Sequence, residues 1–326
     1  MSKAVTIHEV GGPEVLKFET VEVGDPGPGE VLLRQSAAGL NFIDTYQRTG
    51  LYPLPSFPAV LGMEGAGVVE AVGVGVTEVD IGDRVAYSMA PGAYAERRLV
   101  PAAVLVRLPD GISDDQGAAM MLKGCTAQYL IRRTYRVEAG DTILIHAAAG
   151  GVGLIVCQWA KHLGATVIGT AGGPDKVALA EAHGCDHAID YTTEDFVERV
   201  GEITNGAGVP VVYDSVGRDT FLTSMDCLQP RGLLVSFGQS SGAIPPFDPG
   251  ILAQKGSLFL TRPTLGTYIA TREELEATAR ELFDVVVSGA VKIEVNQTYP
   301  LEDAATAHRD LEARRTTGST VLRIAE

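Results

Sequence analysis

Ile143-Leu144-Ile145-His146-Ala147-Ala148-Ala149-Gly150-Gly151-Val152-Gly153 decides how this chain folds. A β-branched, apolar run meets a glycine cluster, and residues 154–163 continue in helix-compatible sequence. Against the pattern G-x-G-x-x-G, Ala148 stands in the first glycine place, while Gly150 and Gly153 hold the other two. The second glycine lets backbone approach a pyrophosphate, and the third lets the helix pack closely on the strand. The free N–H groups at the helix start then face the phosphates, aided by the helix dipole. A glycine motif alone says little; the strand–turn–helix context gives it weight.

The same alternation extends on both sides. Residues 141–147, 165–170, 188–190, 209–214 and 232–237 read as strands. Residues 174–183, 196–204 and 220–228 read as helices between them. Short Val- and Ile-rich strands alternating with helices predict a doubly wound parallel sheet. In an NAD site an acid closes the second strand and binds the ribose hydroxyls. Here that strand runs Val167-Ile168-Gly169-Thr170-Ala171-Gly172-Gly173, with no acid at its tip. The small residues leave room for a 2′-phosphate, and Lys176 can neutralise it. This favours NADPH. Asp175, near the nominal spacing of about 20 residues, would favour NADH; it reads better as an acid at a helix N-terminus.

Upstream the texture is different. Residues 4–9, 30–38, 67–72 and 84–88 read as strands separated by Gly and Pro turns, which suggests a small closed or nearly closed β unit. Downstream, residues 273–288 and 304–314 read as helices and 319–324 as a strand that could return to that unit. The expected domains are 1–123 with a C-terminal return over 267–326, and 124–266, packed tightly with a cleft between them.

Composition narrows the function classes. The 326 residues are 45% hydrophobic, enough for two ordinary cores. The net charge of -15 repels phosphate backbones and anionic lipid, which argues against nucleic acid and membrane partners. Any dinucleotide site must therefore be built locally. No apolar run has signal or membrane-span length, so a cytoplasmic protein is expected. Cys125, Cys157, Cys185 and Cys227 stand far apart and read as reduced, partly buried thiols.

Several segments together resemble the zinc-free quinone oxidoreductases of the medium-chain dehydrogenase/reductase superfamily, the zeta-crystallin branch. They are Asn41-Phe42-Ile43-Asp44-Thr45-Tyr46, Gly50-Leu51-Tyr52-Pro53, Leu61-Gly62-Met63-Glu64-Gly65, Gly82-Asp83-Arg84-Val85, Leu122-Lys123-Gly124, the 147–153 loop, Val212-Tyr213-Asp214-Ser215-Val216-Gly217 and Thr261-Arg262-Pro263-Thr264. The resemblance covers essentially the whole chain. It implies an α/β protein: a GroES-like β-barrel domain plus a Rossmann doubly wound parallel sheet domain, usually as a homodimer. The zinc alcohol dehydrogenases of the superfamily hold their catalytic zinc with a cysteine and a Gly-His-Glu histidine. Here those places read Gly39-Leu40-Asn41 and Gly62-Met63-Glu64, and neither Asn41 nor Met63 would hold zinc in a normal site. No metal is expected, and without a Lewis acid an acceptor that is already electrophilic is favoured.

The resemblance also implies site residues. Asn41, Tyr46, Tyr52 and Asp44 are the catalytic candidates. Asn41, Phe42 and Tyr46 would lie near the nicotinamide and its ribose, and Tyr52 and Asp44 would edge the acceptor pocket. Tyr129, Gly151, Val152, Gly172, Gly173, Lys176 and Tyr191 match cofactor contacts. Val216, Phe237, Gly238, Ser240 and Ser241 would follow later strand ends, and Pro263, Thr264 and Leu265 would line the nicotinamide side. Arg262 and Arg314 are weaker candidates, and His146 and Glu64 read as structural. The expected reaction is metal-free hydride transfer, or stepwise electron transfer, from NADPH to a quinone. Two alternatives stand beside it: reduction of an enone or alkenal double bond, and a non-catalytic NADPH-binding protein.

Overall fold

The computed structural model describes residues 1–324, which form two compact units. The first holds Met1–Cys125, Ile269–Val287 and the stretch from Ile293 onward; the second holds Thr126–Tyr268 and Ser288–Lys292.

In the first unit, β1 (Ser2–Ile7) pairs antiparallel with β2 (Lys17–Val21) and with the short β3 (Ala59–Val60). The longer β4 (Glu30–Leu40) is the spine of the larger sheet. On one side it pairs with β5 (Glu64–Val72), which continues to β6 (Arg84–Ser88). On the other side it serves two strands in turn: β7 (Arg97–Pro101) along residues 30–34, then a C-terminal strand along 37–40. Two register shifts between β4 and β5 bend the spine enough to allow this. A Cβ at Gly67 would collide with the Arg34 carbonyl at the second shift, so a glycine is required there. Val5, Ile7, Leu33, Tyr87, Tyr94, Leu105 and Leu322 fill the interior.

Two helices in this unit lie where the sequence reads as strand and turn. α1 (Phe42–Arg48) starts directly after β4, and α2 (Asp114–Tyr129), which belongs to this unit as far as Cys125, carries Gly117 and Gly124. Those glycines are packing positions: a Cβ would come within 2.8 Å of Leu108 at Gly117 and within 2.6 Å of Leu282 at Gly124.

The second unit has six strands: β8 (Thr142–Ile145), β9 (Thr166–Ala171), β10 (His187–Asp190), β11 (Val209–Asp214), β12 (Leu228–Ser236) and β13 (Phe259–Thr261). Every pairing is parallel, and the spatial order is β10-β9-β8-β11-β12-β13. This is the 3-2-1-4-5-6 order of a Rossmann sheet, whose direction of winding reverses between β8 and β11. The crossovers include α3 (Gly151–His162), α4 (Pro174–Ala182) and α5 (Phe196–Ile203). Two details depart from the sequence reading. The helix expected over 220–228 is a single turn, Phe221–Ser224, followed by a tighter turn. The short, half-exposed β13 gave no buried-strand signal.

The chain then returns to the first unit with α6 (Arg272–Val287), β14 (Val295–Pro300), α7 (Ala304–Glu312) and β15 (Ser319–Arg323). β15 closes against residues 37–40 of β4 and pairs with β14 on its other edge.

Candidate active site

The glycine loop leads from β8 into α3. Ala147 takes a left-handed conformation (φ 55°), so the sharp bend falls one residue before the first glycine place. Ala148 N–H donates to the Thr170 carbonyl at 2.9 Å, tying the loop to β9. A Cβ at Gly153 would collide with the carbonyls of Ala147 and Ala148, which makes the third glycine obligatory for close packing of helix on strand. Gly150 is the N-cap of α3 and no side chain caps the helix. Gly151 and Val152 are partly exposed while Gly153 is buried. A twelve-residue helix thus offers first-turn N–H groups without a side-chain acceptor, at the point where the strand order reverses. These residues fit a dinucleotide pyrophosphate.

Apart from Tyr129, at the end of α2, the remaining candidates of this unit follow the carboxyl ends of successive strands. Gly172, Gly173 and Lys176 come after β9, Tyr191 after β10, Val216 after β11, Phe237 to Ser241 after β12, and Pro263 to Leu265 after β13. Gly173 has φ 88° and its N–H donates to Asp190 Oδ1 at 2.9 Å. Asp190 also accepts from the Thr192 N–H and hydroxyl, and these hydrogen bonds hold its pKa below the usual carboxylate range. A Cβ at Gly172 would sit 2.5 Å from the Tyr191 hydroxyl, so that glycine leaves room for an exposed tyrosine. Asp175 is exposed in the first turn of α4, next to Lys176. Arg262 bonds the carbonyls of Ser236 and Gly238 at 2.8 and 3.1 Å and braces the 237–241 loop; a bracing role for it gave no signal in the sequence.

Three of these candidates sit deeper than a direct contact requires. Tyr129 is 2% exposed and stacks on Tyr268 with ring centroids 4.4 Å apart. Pro263 and Leu265 are buried as well. His146 is a satisfied core histidine, bonded to Thr170 and Ser224 hydroxyls at 2.9 Å each, and burial lowers its pKa.

In the first unit, α1 carries the aromatic candidates. Phe42 and Tyr46 lie one helical turn apart with ring centroids at 6.2 Å, and Tyr52 meets Tyr46 edge-on at 5.2 Å. All three are half-buried. Asn41 and Asp44 stand at the N-terminus of α1. They form a reciprocal capping box at the start of α1, with Asn41 N–H donating to Asp44 Oδ2 at 2.8 Å. Asp44 is fully buried, so it does not edge an open pocket. The short polar side chains satisfy the helix end, and their burial follows from that.

Asp44 Oδ2 also accepts from the Tyr94 hydroxyl at 2.9 Å, and its Oδ1 has no partner. Burial pushes its pKa up to about 7. Behind Tyr94 lies His308 Nε2 at 3.3 Å, and His308 Nδ1 faces Arg48 Nη1 at 3.1 Å. A guanidinium only donates, so Nδ1 is the acceptor and the histidine proton sits on Nε2. Burial, with Arg48 beside it, lowers the His308 pKa to about 3. Arg48 also donates to Gly11 O at 3.1 Å and to Glu312 at 2.7 Å.

A second buried cluster lies on the other side of Asn41. Its Nδ2 donates to Glu64 Oε1 at 2.9 Å, and Lys123 Nζ donates to the same oxygen at 2.6 Å. Leu122 N–H donates to Glu64 Oε2 at 2.6 Å. A Cβ at Gly39 would collide with the Glu64 carboxylate, so the cluster needs glycine there.

Comparison with known proteins follows the same division. Residues 27–110 match the family described as "Alcohol dehydrogenase GroES-like domain", and residues 151–284 match "Zinc-binding dehydrogenase". With a Rossmann unit and a GroES-like unit in one chain, the protein is a medium-chain dehydrogenase/reductase. A "Quinone oxidoreductase" of Pseudomonas aeruginosa is 56% identical over 99% of both chains. The crystal structure of Escherichia coli quinone oxidoreductase complexed with NADPH superposes with a TM-score of 0.97 at 52% identity, covering 98% of this chain and 99% of that one. A "2-haloacrylate reductase" of Burkholderia sp. is 48% identical over 99% of both. The chain belongs to the quinone oxidoreductase family of the medium-chain dehydrogenase/reductases.

The zinc of the matched family description does not fit these residues. Asn41 offers an amide already bonded to Glu64, Met63 offers a buried thioether that accepts from Gln47 Nε2 at 3.3 Å, and the Glu64 carboxylate is occupied by an ammonium. Among the described residues no three His, Cys, Asp or Glu side chains converge as a ligand set.

Proposed function

We propose that this chain is an NADPH-dependent quinone reductase that works without a metal. The observation that carries the reading is the uncapped N-terminus of α3 at the strand-order reversal, in a chain about half identical to named quinone oxidoreductases. NADPH, when bound, supplies a hydride from C4 of its nicotinamide. The Gly151–Val152 N–H groups hold its pyrophosphate; Gly172, Gly173, Lys176 and Tyr191 surround its 2′-phosphate; and the 216, 237–241 and 263–265 segments take its nicotinamide half. Phe42, Tyr46 and Tyr52 present aromatic surface to the flat acceptor. Asn41 and Asp44 act by fixing the start of α1.

The test is NADPH oxidation with 1,4-benzoquinone, against an enzyme-free blank and a parallel NADH series. Saturable turnover that is faster with NADPH is expected; no rate above the blank would sink the reading. The 48% identity to a 2-haloacrylate reductase favours a second reading, reduction of an activated double bond by the same hydride. Turnover of 2-alkenals with little quinone activity would select it. A non-catalytic NADPH-binding protein would bind the dinucleotide and turn over neither class.

A homodimer and a cytoplasmic location belong to the same proposal. β13 ends the sheet order and Phe259 on it is 62% exposed, which supports pairing with a second copy. A monomer in sedimentation at micromolar protein would exclude the dimer. Four free, buried cysteines and the lack of a helix long and apolar enough to cross a membrane, among the described residues, support the location; cell fractionation tests it.

A further inference from the structure

We propose that Lys123 is a catalytic residue of this reduction, its ammonium meeting the acceptor oxygen on which negative charge develops. The inference rests on the quinone-reductase reading above and deepens it.

The geometry is unusual for a pair that serves stability alone. Glu64 is fully buried and the Lys123 side chain is 8% exposed, with 2.6 Å between Nζ and Oε1. A buried ion pair commonly stabilises no better than apolar residues of the same size, so its presence calls for another use. Nor does Glu64 depend on Lys123 for all its hydrogen bonds. Asn41 Nδ2 shares Oε1, and the Leu122 N–H takes Oε2. The ammonium, by contrast, has three N–H groups, and among the described residues Glu64 is its hydrogen-bond partner. Two donor directions remain for water or a ligand oxygen.

The location suits that use. Asn41 links Glu64 to the first turn of α1, the helix that carries Phe42 and Tyr46. The space for the carboxylate is kept open by Gly39. Two positions where the zinc relatives place metal ligands, residues 41 and 63, hold an amide and a thioether, and the cation paired with Glu64 is Lys123.

The chemistry balances without a further reagent. The quinone gains one proton and two electrons as a hydride, and NADPH leaves as NADP+. The quinone oxygen left negative takes a proton from water, giving the quinol. Lys123 keeps its proton throughout; its charge lowers the energy of the anionic stage, as a preorganised donor in a water-poor site does. A Lewis acid would do the same work in a metal enzyme.

The experiment compares wild type with Lys123→Met and with the double variant Glu64→Gln/Lys123→Met. The single variant strands a buried carboxylate and can fail to fold; the double variant removes both charges and keeps one of the two oxygens, enough for Asn41 Nδ2 or the Leu122 N–H but not for both. Thermal melting and NADPH affinity by fluorescence report on fold and cofactor site, and kcat/KM for 1,4-benzoquinone reports on the reaction. The double variant is expected to keep its fold and NADPH affinity and to lose about 100-fold in kcat/KM. 4-Nitrophenol, used as a competitive inhibitor, gives a second readout. It should bind wild type more tightly as pH rises through its own ionisation, because the ammonium prefers the phenolate, and the double variant should lack that preference. Wild-type kcat/KM in the double variant would overturn the proposal, since Lys123 would then only neutralise Glu64. A wild type inactive with quinones would overturn the parent reading and this proposal together; an active wild type with an equally active double variant overturns this proposal alone.

Discussion

The two candidate regions of this protein are built from opposite materials. The glycine loop of the second unit is neutral: a left-handed Ala147, a Gly153 that admits no Cβ, and helix N–H groups with no capping side chain. The start of α1 in the first unit is surrounded by ionisable groups, Asp44, Glu64, Lys123, Arg48 and His308, all buried. A pyrophosphate is the same in every dinucleotide, so fixed backbone donors serve it. A reacting acceptor changes its charge during turnover, and side-chain charges held in place answer that change. The first region should therefore fail through shape, and the second through charge.

The largest expected effect is on shape. Gly153→Val drives a branched side chain into two carbonyls and should cost about 2–3 kcal/mol of stability, with NADPH binding lost in fluorescence titration. Normal NADPH affinity in this variant would break the comparison. Next is charge removal. Arg48→Met leaves Gly11 O and His308 Nδ1 without their donor and should cost about 2 kcal/mol in denaturant unfolding, while the NADPH affinity of folded protein stays unchanged.

Protonation sharpens the comparison further. Asp44 has a folded pKa of about 7, above its ordinary 3.8. Its stabilising contribution is whole below pH 4 and is lost as pH rises toward 7, because the unfolded chain releases the proton first. Glu64 and Lys123 also act on it, in opposite directions. Asp44→Asn cannot ionise and keeps an oxygen for the Asn41 N–H and Tyr94. It should gain on wild type by a few kcal/mol at most between melts at pH 5 and pH 8. His308 works on the acid side: with a folded pKa of about 3 against 6.5, it withdraws stability as pH falls below 6.5. The smallest effect is at the cofactor's edge. Lys176→Ala should weaken NADPH by about tenfold and leave NADH unchanged in parallel titrations.

What could be read in the sequence divides along the same line. The parallel sheet was legible because its strands are apolar runs that stop at glycines; the candidate cofactor residues were named largely from the family resemblance, and most of them follow strand ends. α2 was hidden by Gly117 and Gly124, which look like breaks and are packing positions. β13 and β14 were too short or too exposed to signal a core strand. In the first unit, Asn41, Asp44, Tyr46 and Tyr52 could be named from a motif, but the burial of Asp44 could not. It depends on Tyr94 and His308, and the Arg48–His308 contact joins residues 260 positions apart. Lys123 stood in a quoted motif with nothing to mark its charge as buried beside Glu64.

The direction imposed by Arg48 has one more consequence. A proton wire works when each member hands a proton forward and is refilled from behind. The row from Asp44 through Tyr94 and His308 could conduct, but it ends on a guanidinium that does not surrender its protons. Glu312, the half-exposed carboxylate beyond it, is thereby insulated from Asp44. Any proton that Asp44 gives up therefore does not return by way of Glu312.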